Sequence, residues 1–188
     1  LLDAKCDILV YGMGEKQMLE IARRFQNGED IHSLDNVRGT VVARKDFSAV
    51  KDPLSIPSFE DVSKDKHKFN RAFKDIYAEA DPVRGRTVIQ KHADRFVIQY
   101  PPALPMTTEA PDKIYPLPFM RDWHVSYADA GGVPGFDPVR HSITSHRGCA
   151  GGCSFCSLYL HQGRHVQSRS IGSILEEIKT ISEDKKFK

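Results

Sequence analysis

The sequence predicts an α/β protein, and three observations carry that prediction. Apolar residues make up 40% of the chain and charged residues 28%, enough for a packed core and too apolar for a disordered chain. A short apolar run closed by glycine is followed by a helix-spaced run and a second β-prone run, the order of a β-α-β unit. Near the other end, a β-prone stretch leads through a glycine-bearing loop into an amphipathic helix.

The elements follow in chain order. Residues 7–11 form a buried-strand run closed by Gly12-Met13-Gly14. Residues 15–27 carry Met18, Leu19, Ile21, Ala22 and Phe25 at helical spacing, and Gly28 stops the helix. Residues 37–43 read as a second strand. One such unit does not make a doubly wound sheet, so further strands are expected upstream of Leu1. Residues 46–66 are polar, hold Pro53 and Pro57, and read as a connector. Residues 66–80 read as a helix with Phe69, Phe73, Ile76 and Tyr77 on one face, ending at Asp81-Pro82. Residues 87–91 and 95–100 are β-prone and separated by His92-Ala93-Asp94, a hairpin pattern.

Six prolines between positions 101 and 118 predict an extended or loop-like stretch. Within it, residues 102–105 match the minimal PxxP pattern, which a surface linker explains as simply as a polyproline ligand. Trp123, Tyr127 and Phe136 among glycines read as a packed loop. Residues 140–145 alternate toward a strand. Residues 170–182 form an amphipathic helix with Ile171, Ile174, Leu175, Ile178 and Ile181 on one face, capped by Ser170 or by Ser173 with Glu176. The organisation expected is therefore residues 1–45, the end of an α/β domain; 46–139, a mixed middle region; and 140–188, the start of a second domain.

Charge excludes some function classes. Lys plus Arg is 27 and Asp plus Glu is 25, a net charge of +2, which gives no nucleic-acid signal. No apolar run is long enough for a transmembrane helix, so no membrane partner is expected. The chain opens on Leu1 without a basic-then-apolar leader, as a fragment would.

Chemistry concentrates in the cysteines. Cys149, Cys153 and Cys156 lie within eight residues, and Cys6 is distant and reads as a buried small side chain. Disulfide frameworks spread their cysteines, so this clustering points to a metal site in a reducing, cytoplasmic compartment. The spacing is C-x3-C-x2-C, and Gly151 and Gly152 let the loop turn tightly. Thiolates of this kind suit zinc, copper(I) or an iron–sulphur cluster. Zinc would need a fourth ligand such as His146, His161 or His165, and would make a structural or binding module without catalysis. A [4Fe–4S] cluster held by three cysteines would keep one iron open for a substrate or cofactor, whereas an electron carrier covers all four.

C-x3-C-x2-C after a strand, with Phe155 just before the last cysteine, resembles the radical S-adenosylmethionine (radical SAM) enzymes. The wider string, with His146-Arg147-Gly148, Ser154, Ser157, His161-Gln162-Gly163-Arg164 and Gln167-Ser168-Arg169-Ser170, is similar to the YgiQ-type branch. So are Leu2-Asp3-Ala4-Lys5, Arg38-Gly39-Thr40 and Pro101-Pro102-Ala103-Leu104-Pro105.

The resemblance implies a fragmentary α/β N-terminal part followed by the first strand, cluster loop and first helix of an incomplete radical SAM (β/α) barrel. It implies that Cys149, Cys153 and Cys156 hold a [4Fe–4S] cluster whose open iron binds S-adenosylmethionine, with Phe155 near the adenine. The implied activity is generation of a 5′-deoxyadenosyl radical that abstracts hydrogen from an unidentified substrate, with a flavodoxin- or ferredoxin-like electron donor as partner. Only 49 residues follow position 139, and no glycine-glycine-acid stretch follows the loop to hold the methionine amino group. This polypeptide alone is therefore expected to be inactive.

Other features read plainly. Arg164 and Arg169 are loop charges that could face an anionic ligand or solvent. Gly12-x-Gly14 lacks the third glycine of a phosphate loop and reads as a turn. Residues 185–188 read as a solvated end.

Overall fold

The β-prone runs gather into one mixed sheet. In the computed structural model, which describes residues 1–184, 186 and 187, its strands are β1 (Ile8–Val10), β2 (Thr40–Arg44), β3 (Leu54–Ile56), β4 (Val88–His92) and β5 (Arg95–Gln99). Their order is β1-β2-β5-β4-β3. Neighbours are antiparallel except β3 and β4, which run parallel. The class is mixed α/β, as the sequence predicts.

Strand direction departs from the β-α-β reading, in which the two strands would run parallel. Ile8 lies opposite Val42 in an antiparallel ladder. The connection is the reason. After α1 (Glu15–Gln26), a 3-10 turn at Ile31–Ser33 returns the chain to the end of β1. There the Tyr11 amide donates to the Gly39 carbonyl at 2.9 Å, so β2 starts where β1 stops. The hairpin of β4 and β5 forms as expected, with Ala93 at φ +48° in its turn.

The chain divides into two compact units, Leu1–Pro105 with Gly151–Arg164, and Met106–Ala150 with His165–Lys188. In the first, Val42, Ile89, Ile98 and Tyr100 form the main core, with Phe47 and Phe96 packed edge to face against each other. A second cluster joins Ile56 and Val88 of the sheet to Ala72 of α3 (Lys66–Ala78). The connector at 46–66 contains structure the prolines concealed: β3, and α2 (Phe59–Val62), capped by the Ser58 hydroxyl. The helices form where the periodicity places them, but their apolar faces do not all go inside. Met18, Leu19 and Phe25 are exposed on α1, as are Phe69 and Phe73 on α3. Gln17 and Ala72 are the buried residues of these two helices. Periodicity says which residues share a face, not which face meets the sheet.

The second unit contains α4 (Glu109–Ile114) inside the proline-rich stretch, where an extended chain was expected. Pro111 falls in its first turn, where a missing N–H costs no helix bond. Residues 140–145 are not a strand. They follow a 3-10 turn at Pro134–Val139, and pairing begins only at β6 (His146–Arg147), antiparallel to β7 (Gln167–Ser168). The amphipathic helix is α6 (Ile171–Ser182), and Ser170 is its cap, accepting from the Ser173 amide at 3.1 Å. Its outer face leaves Ile171 and Leu175 exposed while Glu177 and Ile181 are buried. Of the tail at 185–188, Lys185 and Lys188 lie outside the described residues. Cys6 is exposed rather than buried, because it sits in the turn before β1, where its thiol donates to the Ile8 carbonyl. No helix among the described residues is long and apolar enough to cross a membrane.

Candidate metal centre

The cysteine loop starts from the β6–β7 pairing. Gly148 follows β6 at φ +90°, and a Cβ there would run into the His165 carbonyl oxygen. The position therefore needs glycine for both conformation and space. Cys149 comes next, partly exposed and in no disulfide.

On the other side of Gly152, Cys153 and Cys156 belong to the first unit with α5 (Leu158–Gln162). The Cys156 amide donates to the Cys153 carbonyl at 3.1 Å, closing a tight turn between the two thiol-bearing residues. Phe155, between them, is 90% exposed. The Leu160 and His161 amides both donate to the Ser157 carbonyl at the start of α5. Gly163 (φ +88°) ends the helix.

Tyr159 is the buried residue of α5. Its ring meets that of Tyr77 edge to face, with centroids 6.4 Å apart. The Arg164 guanidinium lies over both rings, 4.5 Å from the Tyr77 centroid and 5.3 Å from that of Tyr159. A hydrogen bond with Tyr77 is the largest influence pushing the Tyr159 hydroxyl above the ordinary tyrosine pKa, followed by burial and the charge of Tyr77. Arg164 opposes the rise, and Cys156 adds to it.

In the second unit, Arg169 is not a solvated loop charge but 6% exposed. It bonds the Thr144 carbonyl, the Ser173 hydroxyl and carbonyl, and the Glu177 carboxylate, and it stacks 4.1 Å over the Tyr115 ring. The neighbouring cavity of about 590 Å³ is lined by Tyr115, Leu117, Phe119, Arg121, Arg169 and Glu177. Its buried charges are satisfied by one another, because Arg121 also pairs with Glu177 at 2.7 Å.

His146, His161 and His165 are all exposed, and the His146 ring nitrogen Nδ1 lies 2.9 Å from the Ser145 hydroxyl. Among the described residues, no group of three or more His, Cys, Asp or Glu is gathered so as to hold a metal ion. The donor set itself is chemically right for a soft metal centre: three closely spaced thiols, none in a disulfide. Spacing announced these thiols. No sequence signal announced Tyr77 as a neighbour of the loop.

Residues 1–142 match the family model described as radical SAM N-terminal. The chain is similar to UPF0313 proteins over its whole length: 47% identical to one from Clostridium botulinum (strain ATCC 19397 / Type A), 46% to one from Methanocella arvoryzae and 43% to one from Fusobacterium nucleatum. It spans 29%, 31% and 32% of the length of these relatives, respectively. No solved structure gives a significant match. The chain belongs to the radical SAM N-terminal family, with YgiQ-like UPF0313 proteins as its relatives.

Proposed function

We propose that this chain serves a radical SAM enzyme, with Cys149, Cys153 and Cys156 holding a [4Fe–4S] cluster that takes S-adenosylmethionine at its open iron. The observation that carries the reading is the set of three cysteines, none in a disulfide, at C-x3-C-x2-C spacing in a chain of this family. The chemistry such a centre supplies is one-electron cleavage of S-adenosylmethionine to a 5′-deoxyadenosyl radical.

The chain's own residues bind and orient. Gly148 fixes where the loop leaves β6, and the Cys153–Cys156 turn brings two ligand positions close in the backbone. Phe155, 90% exposed, has little packing role here and offers an aromatic face to the adenine. A flavodoxin- or ferredoxin-like donor supplies the electron.

Anaerobic reconstitution with iron and sulphide tests this, followed by iron and zinc quantification and EPR of the dithionite-reduced protein. Wild type is compared with a variant carrying Cys149→Ala, Cys153→Ala and Cys156→Ala. The expected result is a cluster signal that shifts on adding S-adenosylmethionine and is absent from the variant. One zinc per chain without iron would overturn the reading in favour of a structural module.

A further inference from the structure

Within the first unit, an aromatic clamp ties the last part of the cysteine loop to the N-terminal region. α5 has five residues, too few to be stable as a free helix. Tyr159 is its buried side chain, three positions after Cys156. Tyr159 packs against Tyr77 from the last turn of α3. Gly163 ends α5 at φ +88°, and the next residue, Arg164, lies over both rings. Arg164 makes no ion pair among the described residues, so the two aromatic faces are its notable partners. A cation over two π faces is an attractive arrangement that needs no carboxylate.

We propose that Tyr77 and Arg164 are positioning residues for Cys156. By gripping Tyr159 they hold α5, and through it the Cys153–Cys156 turn, against α3. A helix in the radical SAM N-terminal segment thereby sets the orientation of a cysteine that lies outside that segment. Its bearing on a metal centre rests on the reading of Cys156 as a cluster ligand.

The test uses the 188-residue chain with Tyr77→Ala, Tyr77→Phe and Arg164→Ala, and has two independent readouts. The first is the rate of Cys156 alkylation by iodoacetamide without metal, resolved by peptide mass spectrometry against exposed Cys6 as internal reference. Tyr77→Ala and Arg164→Ala are expected to raise the Cys156 rate about threefold, the factor that loss of one exposed cation–π contact gives. Tyr77→Phe keeps the ring beneath Arg164 and stays near wild type. Arg164 is exposed, so its removal leaves no buried void and the fold survives even where Tyr77→Ala weakens it.

The second readout is the EPR spectrum and iron retention against a chelator after iron–sulphide loading. Altered g-values and faster iron loss are expected in the two alanine variants, with Tyr77→Phe restoring retention. Cys156 rates and spectra equal to wild type in both alanine variants would overturn the positioning role while leaving the cluster reading intact. Raised Cys156 rates in a chain whose wild type takes up no iron would support the clamp and count against the cluster.

Discussion

Glu177 and Arg169 bury their ion pair almost completely, with side chains 6% and 1% exposed. Arg121 shares the same carboxylate at 2.7 Å, so one glutamate neutralises two guanidinium groups. Arg169 also holds the Thr144 carbonyl, and its own amide donates to Ser145, which joins α6 to the approach to β6. Breaking a buried pair leaves an uncompensated charge, which costs about 3–5 kcal/mol. Glu177→Ala is therefore expected to lower stability by that amount in urea unfolding. The double variant Arg169→Met with Glu177→Leu recovers much of the loss, because Arg121, at 21% exposed, can turn its charge to solvent. A single Glu177→Ala no more costly than an ordinary surface change would refute the role of this pair.

Asp122 makes the acid side of the stability profile testable. Hydrogen bonds from Lys186 first, then Arg140, hold its carboxyl down at about 2 against an ordinary 3.8. The lowered folded value means that its contribution is complete above the unfolded pKa and is lost as pH falls through the folded one. Urea unfolding of the wild type between pH 5 and about 2 is expected to show stability declining through that window. Asp122→Asn flattens the decline, and Lys186→Met flattens it in part because Arg140 still donates. An Asn variant with the wild-type slope would show that other carboxylates control the acid limb.

The parts of the fold visible in sequence are those fixed by local chemistry. The β4–β5 hairpin, α1, α3 and α6 all appear where alternation or helical spacing places them. Elements masked by composition were lost: α4 behind Pro111, and β3 and α2 in the polar connector. Direction and partners are long-range properties. The antiparallel β1–β2 pairing depends on the Tyr11–Gly39 contact, and the burial of Arg169 depends on Tyr115, Ser173 and Glu177 together. At the site, the thiol spacing is written in eight consecutive residues. The Tyr77–Arg164–Tyr159 clamp joins segments far apart in the chain and carries no motif.

Gly148 separates backbone strain from steric exclusion at the cysteine loop. Its φ of +90° is joined by a neighbour: a Cβ would meet the His165 carbonyl oxygen, its carbon at 2.9 Å, and the Val166 Cα at 3.4 Å. Gly152 also has positive φ (+60°), but a Cβ there would meet nothing within 4 Å. Gly152→Ala therefore carries only the left-handed backbone cost, about 1–2 kcal/mol. Gly148→Ala carries that cost and must also push the chain at His165 away from the end of β6, next to the β6–β7 pairing that precedes Cys149. The expected order in thermal melts is wild type, then Gly152→Ala, then Gly148→Ala. Iron per chain after reconstitution should fall most in Gly148→Ala. Equal melting temperatures for the two variants would mean that β6 and β7 yield freely, and that this pairing does not fix where the loop begins.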